Sequence, residues 1–362
     1  MPHQPHDRSF VVAARRAVFA TLAVAAALGL SVGQAAARPS DTSSVSCGDL
    51  ITRDTTLQND LVDCPDDGLV IGADNITVDL NGHVVDGLGD EICLASRVGI
   101  FNHGHTGVTI EGGVVREFTL GVLLVHATSN TLSDLTVSDA CTGITVNSGF
   151  GNVVDQNVVH NHTYGIQLLF SDHNRVTRNT QSNDDTPDRR QNDARNGISL
   201  FDSDDNLIRQ NSVTVNSFGI SIDASLPNDA SSHNVVEKNS ATGNEFAGIE
   251  VSSSDATIVR KNQVSDNVDV PGGIDGFGDG ILVWDRSTDT RVEHNVTSGN
   301  SGDGIDVGGF LGNSVPGTLL TKNTANGNGD LGINALPGVI DGGGNKARGN
   351  GNPLNCLNVA CK

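Results

Sequence analysis

The chain has 362 residues, with 43 Asp and Glu against 22 Lys and Arg, 43 glycines and an aromatic fraction of 4%. That length exceeds a disulfide-stapled miniprotein and allows one large domain or two ordinary ones. A net charge of −21 excludes the basic surface that nucleic-acid phosphates require and disfavours anionic lipid.

The N-terminus reads as an export signal over residues 1–37. Arg8, Arg15 and Arg16 precede an apolar run from Ala17 to Leu30, and Ala35, Ala36 and Ala37 supply small residues for cleavage. The run is short for a membrane span, and no later stretch is long enough for one. Arg15–Arg16 fits the general secretory route better than a twin-arginine signal. Removal of this segment leaves a mature charge of −23. A secreted or periplasmic location follows.

All six cysteines lie in the mature part: Cys47, Cys64, Cys93, Cys141, Cys356 and Cys361. An even count in an exported chain favours disulfides. Proximity pairs Cys47 with Cys64 and Cys356 with Cys361, one bridge at each end, leaving Cys93 with Cys141. Six cysteines allow about fifteen pairings, so proximity selects among them without excluding the rest.

The next element is a repeat. Gly-Ile or Gly-Val recurs at Gly99, Gly121, Gly143, Gly165, Gly197, Gly219, Gly248, Gly280, Gly304 and Gly332, with a basic interval of 22 residues lengthened by insertions. Alternating apolar residues follow, such as Ile144/Val146 and Ile249/Val251, which is the period of a strand with one buried face. A second column, Asn157, Asn179, Asn211, Asn239, Asn262, Asn295 and Asn323, sits three residues after an apolar residue. A third, Asn216, Asn244, Asn267, Asn300 and Asn328, follows five residues behind the last five of these.

Each unit therefore holds three short strands separated by Asn- and Gly-marked turns, and nothing reads as a long amphipathic helix. Units stacked at about 4.8 Å pair every backbone edge with the next coil. Aligned asparagines suit left-handed turns and hydrogen-bonded ladders, and glycine before Ile supplies a tight corner. The fold expected is all-β, a single-stranded right-handed parallel β-helix of roughly ten to twelve coils. Residues 38–98 form the N-terminal cap and first coils, 99–345 the β-helix, and 346–362 the C-terminal cap. A β-propeller wants repeats of about 40 residues with recurring aromatics.

The pattern G-I-x-[LV]-x-x-S-x-x-N-x-[VI]-x-x-N resembles the right-handed parallel β-helix repeat of secreted bacterial proteins in the pectate-lyase-like superfamily. That group includes the periplasmic proteins that assist copper-site assembly in nitrous oxide reductase. The segments Cys47–Gly48 through Asn81–Gly82 and Asn352–Cys356 resemble the first and last coils of such proteins, so the resemblance covers residues 47–362. It implies a fold and leaves function open, because one coil type serves lyases, hydrolases, epimerases and adhesins.

Insertions around Ser182–Ala194 and Asn267–Asp279 fall at one turn, and those near Leu226–Ser232 and Phe310–Gly317 at another. Grouped loops often border a binding site; neutral length drift is the alternative. If they are walls, the floor is the outward face of the intervening strands, with Ser199, Phe201, Ser221, Asp223, Glu250, Ser252, Leu282 and Trp284 pointing out. Asp202 and Asp285 follow at turns. An outward Trp284, with Phe201 beside carboxylates, suits polysaccharide: rings stack on sugar faces and acids bind hydroxyls or transfer protons.

Asp223 and Glu250 occupy adjacent coils, which suggests carboxyl groups about 5 Å apart, the spacing of a retaining glycosidase. Calcium is an alternative occupant of this cluster, and a solvated acidic surface a second. Arg195 and Arg286 are the nearby cations for a uronate substrate. The Asp-Pro-His-Asp motif of mannuronan epimerases is absent, as are the polygalacturonase motifs, and Gly278-Asp279-Gly280 and Gly302-Asp303-Gly304 read as corners. His103/His105 and His160/His162 are spaced as metal pairs, a weak signal in such turns. Binding or turnover of a polysaccharide by a monomer is the leading expectation, and a non-enzymatic extracellular solenoid the rival.

Overall fold

The computed structural model describes residues 44–89, 93, 96–183, 195–225, 230–269, 278–308 and 314–362. Residues 1–37, read as an export signal, and most of the four insertions lie outside them. Every strand pairing in this region is parallel, as the stacked-unit reading requires. The front sheet has thirteen strands, running from Asp49–Ile51 through Gly-Ile strands such as Asn196–Phe201, Phe218–Asp223, Ala247–Ser252 and Asp279–Trp284 to Cys356–Leu357. Thirteen exceeds the ten to twelve expected because strands in both end segments keep the register. At the strand spacing of a sheet the stack is about 60 Å long.

Two further ladders close each coil. One runs through strands such as Arg175–Thr177, Leu207–Arg209 and Val235–Glu237, the other through Thr180–Ser182, Ser212–Thr214 and Ser240–Thr242. The long strands Thr109–Arg116 and Thr131–Ser138 span both. Inside, like packs on like: Ile144, Ile166, Ile198, Ile220, Ile249, Ile281, Ile305 and Ile333 align coil to coil, and all are buried. The core is one continuous column of mostly Val, Ile and Leu from Val45 to Ala335.

The asparagine columns are buried ladders. Each amide Nδ2 of Asn157, Asn179, Asn211, Asn239, Asn262 and Asn295 donates to the next Asn Oδ1 at 3.0–3.1 Å, and also to a backbone carbonyl such as Val176. The column at Asn216, Asn244, Asn267, Asn300 and Asn328 does the same along the stack. A third ladder, Asn130, Asn152, Asn174, Asn206 and Asn234, corresponds to the first Asn of the quoted repeat pattern.

Two expectations about turn chemistry are corrected. The left-handed residue is the one before each Asn: Gln156, Arg178, Gln210, Lys238, Lys261, His294 and Lys322 have φ of 54–59°. The asparagines turn inward instead, and Arg178, Lys238, Lys261 and Lys322 form the outer face of that turn. The corner glycine is required by close approach: a Cβ on Gly121 would lie 2.5 Å from the Gly143 carbonyl, and one on Gly219 2.5 Å from the Gly248 carbonyl.

The three disulfides are Cys47–Cys64, Cys93–Cys141 and Cys356–Cys361, with Cα separations of 5.5, 5.8 and 6.2 Å. Two of them close the first and last coils, as proximity suggested.

Asn211→Ala tests the ladder. It removes the Oδ1 that accepts both the backbone N–H and the side-chain amide of Asn179, and takes one donor each from the Asn239 Oδ1 and the Val176 carbonyl, all buried. A loss of at least about 2 kcal/mol is expected, since each buried unsatisfied group costs ~1–3 kcal/mol. Urea denaturation measures it, and an unshifted midpoint counts against a stabilising ladder.

Candidate functional site

The front sheet presents columns of side chains to its outer side. One runs Thr145, Gln167, Ser199, Ser221, Glu250, Leu282, Asp306 and Asn334. The column two residues along includes Asn147, Leu169, Phe201 and Asp223, with Ser252 paired to Trp284 on the following coils. All eight residues expected to point outward do sit on this side.

Register alters the pairing. Glu250 lies opposite Ser221, not Asp223. Asp223 is opposite Phe201 and two residues further along, so its backbone is diagonal to Glu250 at about 8 Å, given ~4.8 Å between strands and ~3.3 Å per residue. The 5 Å pair expected from adjacency is replaced by this diagonal.

The central column is closed to solvent. Glu250 is 0% exposed; its Oε2 accepts the Ser221 hydroxyl at 2.6 Å and its Oε1 accepts the Trp284 indole N–H at 2.9 Å. Trp284 is 5% exposed and packs with Phe218, Ala247, Leu282 and Phe246 in an apolar cluster outside the main core. The expectation of a Trp284 ring open to a sugar is thereby corrected: its indole orients a carboxylate instead. Glu250 also fits calcium poorly, because both oxygens already accept neutral donors. Among the described residues no group of three or more His, Cys, Asp or Glu is arranged to hold a metal ion. His162 is buried with its ring against Gln181, and His105 binds Asp74.

The half-exposed part lies along the next column and its turn. Phe201 and Asp223 are partly exposed, and Asp223 Oδ1 accepts the Ala224 N–H. Asp202 is occupied by Ser225, accepting its N–H at 2.8 Å and its hydroxyl at 2.7 Å. Asp285 accepts from Ser253 and lies 3.5 Å from Arg286. Phe170 stands beside Phe201 edge to face, ring centroids 6.4 Å apart, and is 55% exposed. Its φ is +49°, uncommon for a bulky side chain, and its N–H is held by the Phe201 carbonyl at 3.0 Å. Further along the stack Phe150, also exposed, packs on His173 at 4.7 Å.

Sequence reasoning missed Phe170 and a second acidic group. Phe170 was findable, as a large apolar residue at a turn position where equivalent coils carry Ser148 and Asp202. Asp306 was findable as the x of Gly304-Ile305-Asp306-Val307. It is 8% exposed, with one oxygen lacking any hydrogen-bond partner. Asp279 Oδ1 accepts the Asp303 N–H, and Asp303 Oδ1 accepts the Leu331 N–H, each at 2.7 Å. These two are corner residues, as read. Burial, reinforced by neighbouring carboxylates, pushes Asp303 up to about 6, Asp306 to about 7 and Asp279 well above the carboxylate range.

The right handed beta helix region family matches residues 98–264 and 228–315, together more than half of the chain. The chain belongs to this right-handed β-helix family. Among solved structures it is similar to the Dettilon tailspike protein, at TM-score 0.65 and 17% identity over 82% of this chain and 62% of that one. It is also similar to an Azotobacter vinelandii mannuronan C-5 epimerase A-module, at 0.55 and 14% over 88% and 87%. A third is the catalytic domain of a GH87 α-1,3-glucanase in complex with nigerose, at 0.51 and 13% over 83% and 62%. This chain thus spans less than two thirds of the tailspike and the glucanase. No curated protein matches the sequence.

The three aspartates generate a pH dependence. A carboxyl with a raised folded-state pKa binds its proton more tightly in the native chain, so its contribution is full below about pH 4 and is lost as pH rises through about 6–7. Stability is therefore expected to fall between pH 5 and 8. Asp306→Asn should flatten that slope and raise the pH 8 midpoint by an amount on the order of 1 kcal/mol. Denaturation at pH 5, 6.5 and 8 decides it; parallel curves for parent and variant contradict the assignment.

Proposed function

We propose that this protein is an exported β-helix that binds polysaccharide lengthwise along the outer side of its front sheet. The observation that carries the reading is the exposed Phe170 ring set edge to face on Phe201, beside the half-exposed carboxylates Asp202 and Asp223. An exposed aromatic next to acceptors for hydroxyls meets both halves of a sugar, its apolar face and its polar rim. The disulfides support export, being at home in an oxidising compartment. The likeness to a glucanase and a mannuronan epimerase, both acting on polysaccharide by name, supports the ligand class.

A finer reading assigns turnover to Asp223 and Glu250. It is favoured by the clamping of Glu250 between Ser221 and Trp284, which fixes a carboxylate as an acid–base group must be fixed. With their backbones about 8 Å apart on the diagonal, the pair is read for inversion, in which the carboxyl groups themselves stand ~6.5–9.5 Å apart to leave room for water. Trp284 acts here as the positioning residue of Glu250.

Affinity electrophoresis of the mature chain in gels carrying a glycan panel tests the binding. Retardation by at least one polysaccharide is expected, with Phe170→Ala weakening it roughly threefold to tenfold, the worth of one aromatic contact, at an unchanged melting temperature. Equal retardation of parent and variant would remove Phe170 from the site. Reducing-end release, lost in Glu250→Gln with retardation kept, would carry the finer reading; release unchanged in that variant would end it.

A further inference from the structure

Resting on the polysaccharide reading above, we propose that the chain bound at the front sheet is a neutral polysaccharide, and that the sheet rejects polyanionic ones such as polyuronates. The thirteen front strands contain no Lys and no Arg. They contain Asp49, Asp223, Glu250, Asp279 and Asp306, and the turn that follows adds Asp202 and Asp285. The cations are placed elsewhere. Arg116, Arg175, Arg209, Arg260, Arg291, Lys346 and Arg348 sit on the back ladders, where several bind Asp86, Glu237 or Glu293. Arg178, Lys238, Lys261 and Lys322 sit on the turn between those ladders.

Four described cations, Arg53, Arg97, Arg195 and Arg286, flank the front strands, and each is engaged within the chain. Arg97 donates to the Gly89 carbonyl, Arg195 is 3.5 Å from Glu245, and Arg286 is 3.5 Å from Asp285. A polyuronate laid along this sheet would bring one carboxylate per sugar against the accessible Asp49, Asp202, Asp223 and Asp285, on a chain of net charge −21. Like-charge contact raises the cost of every added residue, so the penalty grows with the length bound. A neutral chain meets the half-exposed Asp202 and Asp223 as hydroxyl acceptors, and the Phe170–Phe201 pair carries no charge preference. The sign of the field thus discriminates between substrates that the aromatic contact alone does not separate.

The test compares neutral glucans and mannans with their own carboxymethylated forms, and with alginate and polygalacturonate, by retardation of the mature chain. The runs are made at pH 8. Both a chelator and a calcium arm are included. A neutral glycan is expected to retard the protein, its carboxymethyl form to bind at least about tenfold more weakly, and the gap to shrink at high salt, where repulsion is screened. Asp223→Asn should narrow the gap about threefold.

A polyuronate bound as tightly as a neutral chain, with or without calcium, overturns the proposal while leaving polysaccharide binding intact. Silence toward every glycan overturns the underlying reading as well. Arg189 and Arg190 lie outside the described residues, so the comparison is repeated with both replaced by Ala. An anionic glycan held by the parent and released by that variant also overturns the proposal.

Discussion

Coil-to-coil pairing in a fixed register is the constraint on which everything else rests. A parallel strand of three to six residues has no stability alone; here its peptide groups are satisfied by the coil above and the coil below. The turns would be the weak points, since a short turn leaves polar groups without partners inside. The asparagine amides fill that role, and along the column from Asn157 to Asn295 each Nδ2 reaches both the next Oδ1 and a carbonyl. Because the ladder fixes register, a side chain's column is decided by its offset from Gly-Ile, and the functional surface is a property of the columns.

The front sheet uses that order to do something a core cannot. Its inner side is uniformly aliphatic. Its outer side carries a buried glutamate with two neutral donors and a set of aspartates held with raised proton affinity. A buried carboxylate without a cation is costly, and structures concentrate such groups where their chemistry is used. Trp284 and the small apolar cluster around it lower the local polarity and aim Glu250 at once.

Much of this was legible in the sequence. The 22-residue interval, the alternation and the two asparagine columns implied a stacked β-helix because period reports directly on which side a residue faces. The register that puts Ser221 rather than Asp223 beside Glu250 was also present, since aligning Ile220 with Ile249 fixes it; counting adjacent coils without aligning the strands obscured it. Asp306 stood one coil beyond the set of residues considered. The burial of Trp284 was not readable, because alternation says that a side chain leaves the core but not what lies over it. Nor was the left-handed residue before each Asn, since backbone propensity favours the Asn itself and only the inward pull of the ladder reverses the choice.

The corner glycines have a mechanical consequence. At each, the backbone of the next coil approaches into the space a side chain would occupy, and this happens along one edge of the stack only. A methyl group there would act as a wedge, opening the cylinder on that side while the asparagine ladders hold the other edges closed. The stack would bend at that coil and the columns beyond it would fan out. The coil spacing along that edge of the front sheet is therefore set by the atoms that its glycines lack.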